Sequence, residues 1–125
     1  HQLKGSETID SIVRSTIDLI LSTKGRTSIH DLLKNNLSKR RQLERRFSKL
    51  TGLSPKQLAR IIRFQTALKM LLNNETPNLS DLAHENEYYD QAHFIKDFKE
   101  FTGTNPKKFY KDEELLLSSA FYTKT

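Results

Sequence analysis

The sequence predicts an all-α fold of about seven helices. Long stretches carry apolar residues at i, i+3 and i+4, a spacing that gathers side chains on one face of an α-helix. The 125 residues include only three prolines and four glycines, and no segment alternates apolar and polar residues as a half-buried strand does. We therefore expect one helical domain over residues 1–125, long enough to bury a core without disulfides or metal.

The first predicted helix carries an apolar stripe that runs from Ile9 to Leu21. Ser6 or Thr8 is the expected N-cap, because a hydroxyl accepts a hydrogen bond from the first turn, and Gly25 is the expected stop. This helix opens a series of four predicted segments. They are helix 1 with a first two-helix unit over 8–52, a linker helix over 55–74, a second two-helix unit over 77–111 and a tail over 112–125.

Two further helices complete the first unit, over about residues 28–35 and 39–51, and Gly52 ends the second of them. Pro55 then fits the first turn of the linker helix, where the backbone N–H has no helical partner in any case.

The helices of the second unit are bounded by similar signals. Asn78 or Ser80 is the expected cap of a short helix, and Asp90 is the expected cap of a longer one. Gly103 ends that helix, and Pro106 opens the last helical segment.

The second unit repeats the first. Phe47, Thr51, Gly52, Pro55 and Lys56 correspond to Phe98, Thr102, Gly103, Pro106 and Lys107, each 51 residues later. Apolar positions and helix-ending signals recur together in one register, which indicates a duplicated unit.

Each unit is a short helix, a tight turn and a longer helix, the helix-turn-helix layout, whose second helix enters the major groove of DNA. In the first unit this helix has an apolar stripe formed by Leu43, Phe47 and Leu50. The stripe directs Arg41 and Arg45 away from the core. Arginine bridges O6 and N7 of guanine, while Glu44 can accept from cytosine N4 or hold a neighbouring arginine in its rotamer.

The second unit has an aromatic stripe formed by Phe94, Phe98 and Phe101. These rings are expected to pack in the core and not to stack on bases. The stripe leaves Gln91, Ala92, His93 and Lys96 on or beside the outward face, where glutamine can pair with adenine and alanine can meet a thymine methyl. We call the second helix of each unit its reader, because it is the helix expected to contact bases. The reader of the second unit is expected to be the weaker one, because it has less positive charge.

The net charge of +6 favours an acidic partner, and its location favours nucleic acid over a membrane surface. Nine basic residues lie between Lys39 and Arg63, against the single acid Glu44. A charge run alone also fits a solvated helix face. The residues expected to contact phosphates are Lys39, Arg40, Lys56, Arg63, Lys107 and Lys108.

Several function classes are excluded. The chain has no cysteine, so it has no thiolate zinc site and no cysteine nucleophile, and its four scattered histidines lack metal-ligand spacing. No nucleophile elbow, phosphate-cradling loop or pair of catalytic carboxylates occurs. We therefore expect no catalytic residue, no metal and no cofactor.

No apolar run approaches the ~18–20 residues of a membrane span, and the N-terminus lacks the pattern of a signal peptide. We expect a soluble cytoplasmic protein. Because the chain opens with His1 and not with Met, we also expect that upstream residues, up to a whole domain, are missing.

Two stretches, SKRRQLERRFSKLTGLSPKQLARIIRFQTALKMLL and LSDLAHENEYYDQAHFIKDFKEFTGTNPKKFY, resemble the C-terminal DNA-binding domain of AraC/XylS transcription regulators. The resemblance covers about residues 9–110, and YYDQAHFIKDFKEFTGTNPKKF is similar to the signature around the family's second recognition helix. It implies seven helices in two homeodomain-like helix-turn-helix units, joined by a rigid linker helix. It further implies that the chain binds double-stranded promoter DNA and activates, or sometimes represses, transcription. RNA polymerase and an upstream effector or dimerisation domain are the other implied partners.

Position by position, the resemblance assigns base contacts to Arg41, Glu44 and Arg45 in the first unit and to Gln91, Ala92, His93 and Lys96 in the second. Lys39 stands where the family often has a capping serine, so Ser38 is expected to start that helix. Glu87 replaces a glycine that is usual before the aromatic residue, so the second turn is expected to bend at Asn86 instead.

The linker helix spans roughly 27 Å at about 1.5 Å per residue, which is comparable with a DNA turn of about 34 Å. We therefore expect one chain to fill two successive major grooves of an asymmetric site. Two alternatives stay open: a helical protein-interaction module that uses its basic face on an acidic partner, and an RNA binder. The apolar segment Leu115–Tyr122 either packs back on the domain or contacts a partner.

Overall fold

A computed structural model describes residues 8–28, 30 and 40–109, and these residues form helices with turns and bends between them. Five helices lie in this part: α1 (Ile9–Ser22), α2 (Arg40–Thr51), α3 (Pro55–Leu72), α4 (Leu79–Glu85) and α5 (Gln91–Thr102). Residues 106–109 add one helical turn. The all-α prediction is confirmed for the described residues. Most of the helix expected over 28–35, the start of the next one at Ser38 and Lys39, and the tail over 112–125 lie outside them.

The chain forms two compact units, one that ends at Thr66 and one that begins at Ala67. The boundary falls within α3, so this long helix contributes residues to both units. Each unit has its own buried side chains.

In the first unit, α1, α2 and the start of α3 bury one apolar cluster. Its members, each at most 6% exposed, are Val13, Ile20, Leu43, Phe47 and Ala59. Burial of a side chain as large as valine or phenylalanine contributes roughly 1.5–3 kcal/mol, so this cluster is the main force that holds α1 on α2.

The chain turns after α1 at Gly25, which confirms the predicted stop. Its φ of +75° is unfavourable for any residue with a side chain. A Cβ at this position would also collide with the carbonyl oxygen of Ala59 and the amide nitrogen of Arg63 on α3. Glycine therefore permits both the turn and the close approach to α3.

In the second unit, aromatic rings form the centre of the core. Tyr88 lies edge-on to Phe94 with ring centroids 5.4 Å apart, Phe94 lies edge-on to Phe98 at 5.9 Å, and Phe98 lies edge-on to Phe109 at 5.3 Å. The Tyr88 hydroxyl donates a buried hydrogen bond to Asp97 Oδ2 at 3.1 Å. The prediction that Phe94 and Phe98 are core residues is confirmed, because both are fully buried.

The turn after each longer helix has the same hydrogen bonds in both units. Thr51 Oγ1 donates to the carbonyl oxygen of Phe47 at 2.8 Å and accepts from the amide of Leu53 at 3.0 Å. Thr102 Oγ1 donates to the carbonyl oxygen of Phe98 at 2.8 Å and accepts from the amide of Thr104 at 3.2 Å. The following glycines, Gly52 and Gly103, both have a φ of +79°. The repeated Thr-Gly pair is thus a repeated turn.

Side-chain caps begin most of the helices. Thr8, Asn78 and Asp90 each accept a hydrogen bond from the backbone three residues on, as predicted, which satisfies an N–H that the helix leaves unpaired. Ser54 and Gln57 form a reciprocal capping box at the start of α3. Pro55 is the first residue of α3, as predicted.

The apolar stripes are shorter than predicted. Leu21, Leu50 and Phe101 are 51%, 52% and 37% exposed, although each was expected on a buried face. Each is the last-but-one residue of its helix, where the packing of the unit no longer covers the stripe. Leu50 instead lines an open groove between α1 and α2 together with Val13 and Ile17.

The turn between α4 and α5 bends at Glu87, and the expectation that it bends at Asn86 is wrong. Glu87 has a φ of +62°, in the left-handed region, whereas Asn86 has a φ of −100°. Asn86 is fully buried, and its amide donates to the carbonyl oxygen of Leu82 at 2.8 Å and contacts Met70 Sδ at 3.4 Å. The buried asparagine fixes the turn, and the exposed glutamate takes the conformation that a glycine would take.

Within the described residues, none of the helices combines the length and the apolar character that crossing a bilayer requires.

Candidate nucleic-acid interface

The exposed face of α2 carries the residues that the sequence assigned to base recognition. Leu43 and Phe47 are buried, and because successive side chains are about 100° apart, Arg41 and Arg45 lie on the other side, where both are exposed. The predicted orientation of α2 is confirmed. Two guanidinium groups therefore stand on one outward helix face.

Glu44 lies between these arginines in sequence and forms an ion pair with Arg40. Arg40 Nε lies 3.6 Å from Glu44 Oε1, and the two side chains are 45% and 44% exposed. Glu44 was expected to accept from a base or to hold a neighbouring arginine, and in this structure it pairs with an arginine. The arginine is Arg40, which the sequence assigned to phosphate binding.

Arg46 belongs to the same basic run but points to α1. Its Nε and Nη2 donate to the two carboxylate oxygens of Asp10, at 2.6 and 3.0 Å. These hydrogen bonds are the main cause that lowers the pKa of Asp10 below its usual value of 3.8, and the positive charges of Arg46 and Arg14 act in the same direction. This contact was not predicted, because it joins residues 36 positions apart in the chain.

The remaining residues assigned to phosphate contacts differ in exposure. Lys56, Lys107 and Lys108 are exposed, at the start of α3 and in the helical turn 106–109. Arg63 is half-buried on α3, and its Nε is buried. Lys39 lies outside the described residues.

The second exposed face lies on α5. Phe94, Asp97 and Phe98 are its buried residues. The four residues that the sequence assigned to base recognition are all exposed: Gln91, Ala92, His93 and Lys96. The structure thus brings these four residues to the first half of one helix, on the surface of the second unit.

Two residues at the start of α5 were missed as candidates for this site. Asp90 was predicted only as a cap, but its Oδ1 also lies 2.6 Å from His93 Nδ1, and the hydrogen bond from the His93 ring is the main cause that lowers the pKa of Asp90. Tyr89 is 89% exposed and lies edge-on to His93, with ring centroids 5.4 Å apart. A capping acid three residues before a histidine was the available signal, because i and i+3 are neighbours on a helix.

The two faces differ in their electrostatic surroundings. Around α2 the exposed charges are mostly positive. The second unit also exposes acids on α4 and the following turn, namely Asp81, Glu85 and Glu87. Negative charge is therefore closer to the exposed face of α5 than to that of α2, and it would repel a phosphate there.

Residues 36–112, which include both faces, match a protein-family model described as a helix-turn-helix domain. No curated protein and no solved structure matches the chain significantly.

Proposed function

The chain belongs to the AraC-type helix-turn-helix family, whose members are non-enzymatic DNA-binding domains, and on this premise we propose that it is a sequence-specific activator of transcription. Its identity as a DNA-binding transcription regulator follows from the family. The proposal adds the manner of binding, the residues that recognise the site and the sign of regulation.

The observation that carries the proposal is the exposed arginine pair of α2. Arg41 and Arg45 lie opposite the buried Leu43 and Phe47, so a groove that receives α2 meets both guanidinium groups. Each can donate two hydrogen bonds to the O6 and N7 of a guanine. Glu44, which lies between them, holds Arg40 in the present structure and can accept from cytosine N4 in a complex.

The second reader in the proposal is α5, with Gln91, Ala92, His93 and Lys96 at the bases. The eighteen residues of α3 span roughly 27 Å, a length that suits two successive major grooves about 34 Å apart. Because the two readers differ in sequence, the proposed site is asymmetric.

Phosphate contacts hold the readers in register in this proposal. The proposed contacts are Lys39, Arg40, Lys56, Arg63, Lys107 and Lys108. The resemblance to the family favours activation of transcription, with RNA polymerase as a second partner. It also favours an effector or dimerisation domain upstream and a location in the cytoplasm, where promoter DNA lies.

Selection of bound sequences from a pool of random duplexes tests the proposal, followed by hydroxyl-radical footprinting on the selected site. We expect an asymmetric site with two protected segments about one helical turn apart on one face of the duplex. A single protected segment would contradict the use of both readers. Retention of an acidic polypeptide or a structured RNA in preference to every duplex would overturn the assignment of promoter DNA as the ligand.

A further inference from the structure

The first turn of α5 contains a side-chain pair that defines the hydrogen-bonding character of one proposed base-contacting residue. Asp90 Oδ1 accepts from the backbone N–H of His93 at 2.9 Å and lies 2.6 Å from Nδ1 of the His93 ring. Both side chains remain accessible, with 48% of Asp90 and 59% of His93 exposed. The cap of the helix and the orientation of the imidazole therefore depend on one carboxylate.

The chemistry of this contact decides which ring nitrogen of His93 carries the proton. An ionised carboxylate only accepts hydrogen bonds, so a contact of 2.6 Å requires that Nδ1 carries the hydrogen. In a neutral imidazole the other nitrogen, Nε2, then has only a lone pair. Hydrogen bonds from His93 lower the pKa of Asp90, so the carboxylate is ionised at neutral pH.

Tyr89 limits the imidazole on another side. Its ring lies edge-on at a centroid distance of 5.4 Å and an interplanar angle of 65°. Rotation of the imidazole would break the contact with Asp90 and disturb the packing on Tyr89. The contacts with Asp90 and Tyr89 thus favour one rotamer and one tautomer of His93 before any ligand is present.

We propose that Asp90 is a positioning residue that presents His93 Nε2 as a hydrogen-bond acceptor, so that the second unit selects an adenine or a cytosine at one base of its site. The inference rests on the proposed entry of α5 into the major groove. In that groove the amino groups of adenine and cytosine donate, whereas the O6 and N7 of guanine and the O4 of thymine accept. An acceptor therefore prefers the two amino bases over the two keto bases on the strand that it faces.

The test compares base preferences of four variants with those of the wild type, by selection from random duplexes at about pH 8. In the wild type we expect adenine or cytosine to be favoured roughly three- to ten-fold at one position, the worth of one hydrogen bond. His93→Ala removes the acceptor and should abolish this preference alone. His93→Lys supplies only donors and should turn the preference towards guanine.

Asp90→Ser isolates the role of the carboxylate. Serine is an equally good N-cap, but its hydroxyl both donates and accepts, so it does not define the tautomer of His93. We expect the preference at that position to fall towards the His93→Ala level with little change in melting temperature. His84→Ala, which removes an exposed histidine from α4 of the same unit, is the matched control and should change nothing.

The outcomes separate this inference from the proposed function. Duplex binding with an unchanged preference in His93→Ala and His93→Lys would overturn the inference and leave the DNA-binding proposal in place. Loss of the preference in His93→Ala but not in Asp90→Ser would show that the carboxylate has no positioning role. Failure of the wild type to bind any duplex would overturn both the proposed function and this inference.

Discussion

Arg46 of α2 and Asp10 of α1 form a two-point ion pair, with Nε to Oδ1 at 2.6 Å and Nη2 to Oδ2 at 3.0 Å. The same two helices also contribute to the buried apolar cluster, and the side chains of the pair are 34% and 51% exposed. A bidentate contact fixes an angle as well as a distance, so it sets how α2 is turned on α1. The orientation of Arg41 and Arg45 therefore depends in part on an arginine that faces the other way.

Asp10→Asn should lower the stability of the first unit at neutral pH, by a small amount because the pair is solvent-exposed. The pKa of Asp10 is lower in the folded state than its usual 3.8, so the ionised carboxylate stabilises the fold at neutral pH. This stabilisation is lost as the pH falls below 3.8 through the folded-state pKa. The difference in unfolding free energy between wild type and variant should therefore be constant near neutral pH and should decrease towards zero at acid pH.

Chemical denaturation at a series of pH values measures that difference. Asp18→Asn, which changes an exposed aspartate on the same helix, is the control for a general effect of charge. A difference between wild type and Asp10→Asn that is independent of pH down to about 2 would contradict the role of the ionised carboxylate.

DNA binding should depend strongly on salt, because lysine and arginine displace counterions from the phosphates they contact. The logarithm of the association constant should fall linearly with the logarithm of salt concentration, by about 0.9 per phosphate contacted on duplex DNA. Fluorescence anisotropy over a range of about 0.05–0.3 M salt measures the slope. An affinity that does not vary with salt would exclude phosphate contacts as the source of binding.

Arg41→Ala and Arg45→Ala should each weaken binding to the selected site by about 1–3 kcal/mol without a change in melting temperature. Both side chains are exposed and lie away from Leu43 and Phe47, so their loss leaves the core intact. Titration of the selected duplex with each variant measures the loss, and Lys69→Ala, an exposed lysine on α3, is the control. Unfolding of either arginine variant would mean that α2 faces differently in solution.

Glu87→Gly and Glu87→Gln should separate backbone strain from charge at the second turn. A non-glycine residue in the left-handed region is destabilised by about 1–2 kcal/mol, and glycine removes this strain. Glycine also increases the conformational entropy of the unfolded chain, which offsets part of the gain, so Glu87→Gly should raise stability by up to about 1 kcal/mol. Glu87→Gln keeps the φ of +62° and removes only the charge. Both should bind DNA more tightly, because a negative charge near phosphates repels them.

Melting temperatures and affinities measured on the same two proteins decide between the effects. Stabilisation by Glu87→Gln equal to that by Glu87→Gly would show that charge, and not φ, limits the stability. Unchanged affinity in both variants would place Glu87 too far from DNA to matter.

Local signals predicted the helices and their boundaries well. Thr8, Asn78, Asp90 and Pro55 act where the sequence placed them, because capping depends on residues within one turn of each other. The register of the repeat is confirmed by identical turns at Thr51 and Thr102. These features are local in the chain, so a sequence is enough to find them.

Features that depend on distant residues were not predictable. The contact of Arg46 with Asp10 joins positions 36 residues apart. The helical period places Arg46 nearer the apolar stripe than Arg45, but it does not identify a partner on another helix. The exposure of Leu50 follows from where α1 ceases to cover α2, which a helical period does not encode. The position of the second turn depends on the burial of Asn86 against Met70, which leaves Glu87 to take the positive φ.

The two units should contribute unequally to binding, with the first supplying most of the affinity and the second mainly selecting sequence. Between Lys39 and Arg63 the chain has nine basic residues and one acid, whereas between Asp90 and Lys111 it has five lysines and three acids. The contacts of Arg46 with Asp10 and of Arg40 with Glu44 reduce the difference in available charge, but they do not reverse it.

Arg45→Ala should therefore reduce binding to nearly every strong site, and Lys96→Ala should relax base preference in one half of the site with a smaller loss of affinity. The reason is that α5 is oriented as firmly as α2, since Phe94 and Phe98 are fully buried, but in the proposed complex it would enter the groove beside the acids of α4 and the following turn. Affinities of both variants across the selected sequences measure the effect. Equal losses from Arg45→Ala and Lys96→Ala on every site would refute the asymmetry and leave DNA binding by both units standing.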